Sequence, residues 1–305
     1  MDLESYGDLS KKSPFFKGEM TIIDTKSDFD NFFSDFIPKG KIKKYFFRGM
    51  NEAKYKLYNS GQRAWLTYEL SKSFNLYQEF IDKQVLKVRQ IHKGLLSKFY
   101  KSFRYYPNDI SMLSFLQHYG GATPFLDFTE SLYVALYFAM DGLKHNPSGN
   151  EIDNYFSIYV IDNDDKILQN WDKLLDVRLN SELREIETRK QAKVLINNPF
   201  SLGKPFYLKW GLHKITWKGY EPFVITINGQ NLNIINQEGL FVFNSDENEP
   251  LENKLQGNIK CFNIHKSLSE YIKLKLTKKG FDKNFIYPQE EYLAKTALLK
   301  VRQEL

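Results

Sequence analysis

At 305 residues, with a hydrophobic share of 42% and a charged share of 26%, the chain has the make-up of a folded globular protein with a sizeable core, not of a disordered one. Its net charge of +6 favours approach to polyanions, although surplus lysine serves equally well as solvated surface. One cysteine, Cys261, excludes an intramolecular disulfide and a cysteine-built zinc site. The polar N-terminus and the lack of any apolar run of about 18 residues predict a cytoplasmic chain with no membrane segment.

Residues 1–40 read as a charged lead-in with a weak helix over 27–36. Residues 42–47 alternate charge with apolar bulk and predict a strand entering Arg48-Gly49. A basic helical pattern runs over 64–103 until Tyr105-Tyr106-Pro107 breaks it. Asn108 or Asp109 is placed to cap a helix that ends at Gly120-Gly121. An apolar run, an Asp127-Phe128-Thr129 turn and another helix follow. Thr129 sits where an N-cap belongs, and Leu132, Ala135, Leu136, Ala139, Met140 and Leu143 form one apolar stripe behind it.

Beyond a turn-rich break at 146–154, a strand is predicted over 155–161 and a charged helix over 165–196, stopped by Asn198-Pro199. The C-terminal third reads as short strands at 223–227, 232–235, 240–243 and 260–264. Ser267-Leu268-Ser269-Glu270 has the form of a capping box opening a helix that closes at Gly280. A last strand is predicted at 285–287, then Pro288-Gln289-Glu290-Glu291 and a final helix. The expectation is one α+β domain over 41–305, with a small central sheet and helical insertions near 64–104 and 165–196.

The chain has no glycine-rich phosphate loop, no His-Glu-x-x-His and no Gly-x-Ser-x-Gly elbow. Its five histidines lack metal-ligand spacing, so no metal is expected. Polar residues crowd between apolar elements at 117–129 and need partners, from the protein or from a ligand. Arg48 could clamp a phosphate or carboxylate bidentately, with Gly49 removing the neighbouring side chain; an ion pair with a protein carboxylate explains it as well. Asp127 and Thr129 suit either a ligand beside a helix end or plain capping. His118, next to Tyr119, is as readily a C-terminal histidine as a catalyst. Gln289 and Glu291 share a face if extended, or form a solvated first turn.

Phe47-Arg48-Gly49, the segment from Gln117 to Thr129, and Ala135-Leu136-Tyr137-Phe138-Ala139 resemble the FRG domain family, named for its Phe-Arg-Gly motif. Asn236-Gln237-Glu238-Gly239-Leu240-Phe241 and Phe285-Ile286-Tyr287-Pro288 extend the resemblance to roughly residues 42–300. Gly121-Ala122, Pro124 and Phe128 depart from the family pattern, which has leucine-proline, arginine and tryptophan there. The family's layout is similar to that of ADP-ribosyltransferases of the Arg-Ser-Glu type. That likeness implies NAD as substrate, with Arg48, Gly49, Tyr119, Thr123, Asp127 and Thr129 binding it and Glu291, Gln289 and His118 at the chemistry. It further implies a bacterial toxin or antiphage effector, an RNA or protein acceptor, and an antitoxin partner. A non-enzymatic RNA- or protein-binding module, and a metal-independent nuclease using His118 and Glu291, are the alternatives.

Overall fold

The computed structural model describes residues 3–37, 45–96, 109–118, 120–143, 149–164, 166–170, 199–209, 211–215, 223–227 and 232–288. The architecture is α+β, built on an eight-stranded mixed sheet larger than the small sheet expected. Its strands are β1 (Met20–Ile23), β2 (Tyr45–Met50), β3 (Phe125–Thr129), β4 (Tyr155–Asp162), β5 (Gln169–Asn170), β6 (Phe206–Lys209), β9 (Gly239–Phe243) and β10 (Ile259–His265), in the order β1-β10-β4-β2-β3-β9-β6-β5. A hairpin of β7 (Gly211–Ile215) and β8 (Phe223–Ile227) pairs separately.

Strand alternation sorts the side chains into cores. Phe47, Ile158 and Val160 face one side, where they meet helices α2 (Lys26–Phe36) and α6 (Leu132–Met140). Phe125, Phe241 and Phe243 face a second core built with α4 (Tyr77–Leu96) and α5 (Asp109–His118). Phe46, Tyr159, Leu126, Phe128 and Val242 share a third core behind both halves of the sheet. The two halves join weakly. Strand β2 pairs with β4 over six positions, but with β3 only at Phe47↔Thr129 among the described residues. The sheet is therefore pinched at its centre.

Residues of the lead-in belong to this structure. Strand β1 is the parallel edge partner of β10. Lys12, fully buried, donates from Nζ to Ala53 O at 2.8 Å, Ser157 Oγ at 2.8 Å and Asn263 Oδ1 at 2.7 Å. Burial pushes its ammonium below the ordinary lysine range. Replacing it with alanine removes the donor to Ala53 O and Ser157 Oγ in a dry site and leaves Asn263 Oδ1 only the Ser157 hydroxyl and the weak Cys261 thiol, so Lys12→Ala should cost on the order of 3 kcal/mol in urea denaturation. A loss within about 0.5 kcal/mol would mean that water takes over the ammonium's role.

Several elements differ from the sequence reading. The helix expected over 64–103 is α3 (Ser60–Thr67), a 3₁₀ turn at Leu70–Lys72 and α4. Glu69 breaks it at φ +50°, and Glu79 Oε2 then caps the new start by accepting from Asn75 N and Leu76 N. Residues 97–103 lie outside the described residues. Within 165–196, the described part contains β5, paired with β6, where helix was expected; 171–198 lie outside.

The strand expected at 232–235 is the helix Leu232–Asn236, and the one at 285–287 is the helix Lys283–Ile286, whose first turn is capped by Asp282 Oδ1. Short apolar runs carry no period long enough to separate the two forms. The capping box at 267–270 does not form. His265 Nδ1 accepts from Ser267 N to start a 3₁₀ turn at Lys266–Leu268, and the helix Ser269–Lys278 continues from it, closing before Gly280 at φ +81°.

Candidate functional site

Where β2 and β3 separate, a cavity of about 470 Å³ opens. Its walls come from β2 (Arg48, Gly49, Met50), β3 (Asp127, Phe128, Thr129) and β9 (Gly239, Leu240, Phe241). Gln117 of α5, Phe138 of α6, Asn233, Gln237 and Tyr287 complete it.

Arg48 spans the pinch. Its NH1 donates to the Asp127 carbonyl at 2.5 Å, and stands 4.0 Å from the Asp127 carboxylate. A guanidinium thus occupies a backbone acceptor of β3 beside the end of the β2–β3 pairing. The Arg48 side chain is 15% exposed against 61% for that of Asp127, so the cation is much the drier partner. Its Nε is buried without a hydrogen-bond partner among the described residues. Burial lowers the Arg48 pKa, and the Asp127 charge offsets this only in part. A dry, incompletely neutralised fork at a cavity wall is suited to an anion.

Gly49 explains how β2 comes so close to α6. A Cβ there would lie 2.0 Å from Ala135 O and 2.7 Å from Ala139 N. Ala135 and Ala139 are themselves fully buried, so small residues on both sides let the helix backbone seat on the strand.

The Asp127-Phe128-Thr129 segment is a strand and not a turn, and Thr129 is not the helix N-cap. Ser131 holds that position, without a side-chain cap bond. The Thr129 hydroxyl accepts from Ser131 N at 3.0 Å and donates to Gln237 O at 2.6 Å, which ties β3 to the turn before β9. Pairing with β9 over all five residues decides the matter, because ladder bonds satisfy more backbone groups than a turn would.

Thr123 does not line the cavity. It is fully buried, and its hydroxyl donates to Gln117 Oε1. Gln117 Nε2 in turn donates to Asp127 Oδ2 at 2.6 Å. Thr123 therefore sets the orientation of Gln117, which holds the aspartate. Ser60 Oγ accepts from Thr123 N at 2.9 Å and donates to Gly121 O at 3.0 Å, pinning this loop against α3.

Arg48, Gly49, Asp127 and Thr129 are thus brought to one cavity, with Thr123 behind it. The His118 side chain, Tyr119, Gln289, Glu290 and Glu291 lie outside the described residues. The described chain ends at Pro288, one residue past Tyr287 on the cavity wall.

Gln237, Phe138 and Tyr287 were not singled out as site residues from the sequence, although each lies in a segment carrying the resemblance. Gln237 Nε2 donates to Ile286 O at 3.0 Å and Asn236 Nδ2 to Phe285 O at 2.9 Å, which fastens the 283–288 segment to the cavity. The Tyr287 hydroxyl donates to Asp141 Oδ2 at 3.1 Å. Burial and the Asp141 charge push its pKa up to about 12.

A tyrosine held above its ordinary value of 10.0 stabilises the fold below that pH, and loses its contribution as pH rises toward 12. Tyr287→Phe should therefore make the fall in stability between pH 10 and 12 shallower than in the wild type, followed by urea midpoints across that range. An unchanged slope would show that Tyr287 titrates alike folded and unfolded.

Residues 43–147 match the FRG domain model, a span that takes in β2, β3 and α6. That stretch of the chain is similar to an FRG domain. No curated protein and no solved structure matches it. Within the matched span lie Arg48, Gly49, Gln117, Asp127, Thr129 and Phe138. The walls formed by Gln237, by β9 and by Tyr287 come from beyond the matched span. Among the described residues no cluster of His, Cys, Asp and Glu could hold a metal ion, and no helix is long and apolar enough to cross a membrane.

Proposed function

We propose that this protein is an NAD-dependent ADP-ribosyltransferase, working as a bacterial toxin or antiphage effector with RNA as acceptor. The observation that carries the reading is the pinched sheet. A central sheet opens at one point, and the guanidinium of Arg48 stands there at the wall of a cavity of about 470 Å³. That volume falls in the range that accommodates small ligands and cofactors.

In this reading Arg48 holds the diphosphate of NAD, while Phe138 and Tyr287 offer flat apolar faces to the nicotinamide end. Glu291 follows closely on Tyr287 in the chain. Its carboxylate stabilises the positive charge that grows on the ribose as the C1′–N bond breaks. Nicotinamide leaves neutral with the bonding electrons. A nucleophilic atom of the acceptor then bonds to C1′ and loses its proton, with Gln289 orienting it. The net charge of +6 supports a nucleic-acid acceptor over a protein one. A toxin of this kind implies a neutralising antitoxin.

Incubation of the purified chain with NAD and a mixture of RNA and protein, followed by nicotinamide release and intact-mass analysis, tests this directly. A mass gain of one ADP-ribose unit on RNA, lost in Glu291→Gln, is the expected outcome. Salt-sensitive RNA binding without nicotinamide release would favour a binding module. RNA shortening without mass gain would favour a nuclease.

A further inference from the structure

We propose that Gln117 is a positioning residue that holds the Asp127 carboxylate off Arg48 and so keeps the guanidinium open to a diphosphate. The inference rests on the reading of Arg48 as the diphosphate clamp, and adds the residue that stops the clamp from closing on the protein's own anion.

Gln117 sits in the last turn of α5, whose Met112, Leu113 and Leu116 are buried in the core that holds Phe125 and Phe241. Its side chain therefore reaches the cavity from a packed helix. The direction of its amide follows from the groups at its two ends. Thr123 Oγ1 meets one end, and Asp127 Oδ2 lies 2.6 Å from the other. A carboxylate oxygen has no proton to give, so the amide nitrogen must face Asp127 and the amide oxygen the Thr123 hydroxyl. The Ser60 hydroxyl stands 3.5 Å from the same amide oxygen, so two hydroxyls fix that end.

Oδ2 is also the oxygen that stands 4.0 Å from Arg48 NH1. A closed, charge-assisted pair would bring the two atoms to about 2.8 Å, so a shift of roughly 1 Å separates the observed arrangement from a closed one. The guanidinium is already beside this residue, since NH1 donates to the Asp127 carbonyl at 2.5 Å. Packing does not hold the carboxylate back, because the side chain is 61% exposed. Among the described residues, the bond from Gln117 is the one hydrogen bond that the carboxylate accepts. Gln117 and Arg48 therefore compete for the same oxygen, and Gln117 has it. Arg48, Asp127 and Gln117 all line the cavity, so a carboxylate released from Gln117 would close on the guanidinium where the ligand anion has to bind.

The experiment is calorimetric titration of the full chain with inorganic pyrophosphate. Gln117→Leu removes the donor and should weaken pyrophosphate binding about tenfold, the size of one charge-assisted contact. Gln117→Met, which keeps the length of the side chain, should do the same. The deciding comparison is made in an Asp127→Asn background, where no anion remains to close on Arg48. There Gln117→Leu should change the affinity by less than about twofold. An equal fall in both backgrounds would make Gln117 a support of the fold alone. No fall from Gln117→Leu and Gln117→Met when Asp127 is present would show that Asp127 stays off Arg48 unaided. Either result overturns the inference, as does a wild type that does not bind pyrophosphate.

Nicotinamide release from NAD, measured separately, distinguishes the two levels. Gln117-dependent pyrophosphate binding without NAD turnover keeps the clamp and its positioning residue and removes the transferase. NAD turnover with Gln117-independent pyrophosphate binding does the reverse.

Discussion

Gly49→Ala should destabilise the protein by about 3 kcal/mol or more, and lower its Tm by on the order of 10 °C. The added methyl would meet Ala135 O at 2.0 Å and Ala139 N at 2.7 Å. Both are backbone atoms of α6, so no rotamer change relieves the overlap. Either β2 or α6 must move. Strand β2 is held by six pairs to β4, and α6 buries Leu132, Val134, Leu136 and Met140 besides the two alanines. Arg48 is the neighbouring residue, so any shift of β2 also displaces the guanidinium from Asp127 O.

A contrast is available at Gly239 on the opposite wall. A Cβ there meets Ile234 at 3.4 Å, an ordinary contact, and Gly239→Ala should cost less than about 1 kcal/mol. Urea denaturation of both variants checks the pair. Equal stabilities would show that α6 has room to retreat from the sheet.

Under the proposed transferase reading, Arg48→Lys should lower nicotinamide release from NAD by about a hundredfold or more, with little change in the urea midpoint. Lysine keeps the charge but loses the planar fork, which serves Asp127 O with one nitrogen and in the proposed reading offers others to the diphosphate. The stability effect is expected to be small because the guanidinium is held away from water and is only partly neutralised by a carboxylate 4.0 Å off. Its desolvation cost offsets what its hydrogen bond contributes. The opposite pattern, full turnover with a large loss of stability, would make Arg48 a strut across the pinched sheet and nothing more. Kinetics and denaturation on one preparation decide between these outcomes.

Much of the frame could be read from the chain. The alternation over 42–47 placed a strand running into Arg48-Gly49, and the stripe from Leu132 to Met140 placed α6, because both rest on periods intrinsic to one element. The helix over 26–36, the strand β4 and the close of the helix before Gly280 were legible for the same reason.

The strands expected at 232–235 and 285–287 were misread because runs of three or four residues carry no period. What makes them helices is their context: the Asp282 cap, and the bonds from Asn236 and Gln237 to Phe285 and Ile286. Thr129 was read as a cap because a threonine before an apolar helix usually is one. The pairing of β3 with β9, more than a hundred residues away, overrode that local preference.

By itself, then, the sequence determined the elements whose pattern repeats within a few residues, and the adjacency of an arginine to a glycine at the end of a strand. The tertiary structure decided what that adjacency accomplishes. It pinched the sheet between Arg48 and Asp127, turned Thr123 inward to orient Gln117, and brought Gln237 and Tyr287 to the same cavity. Those contacts join residues with no fixed spacing in the chain. They follow from which buried faces fit together and from the need of every dry polar group for a partner.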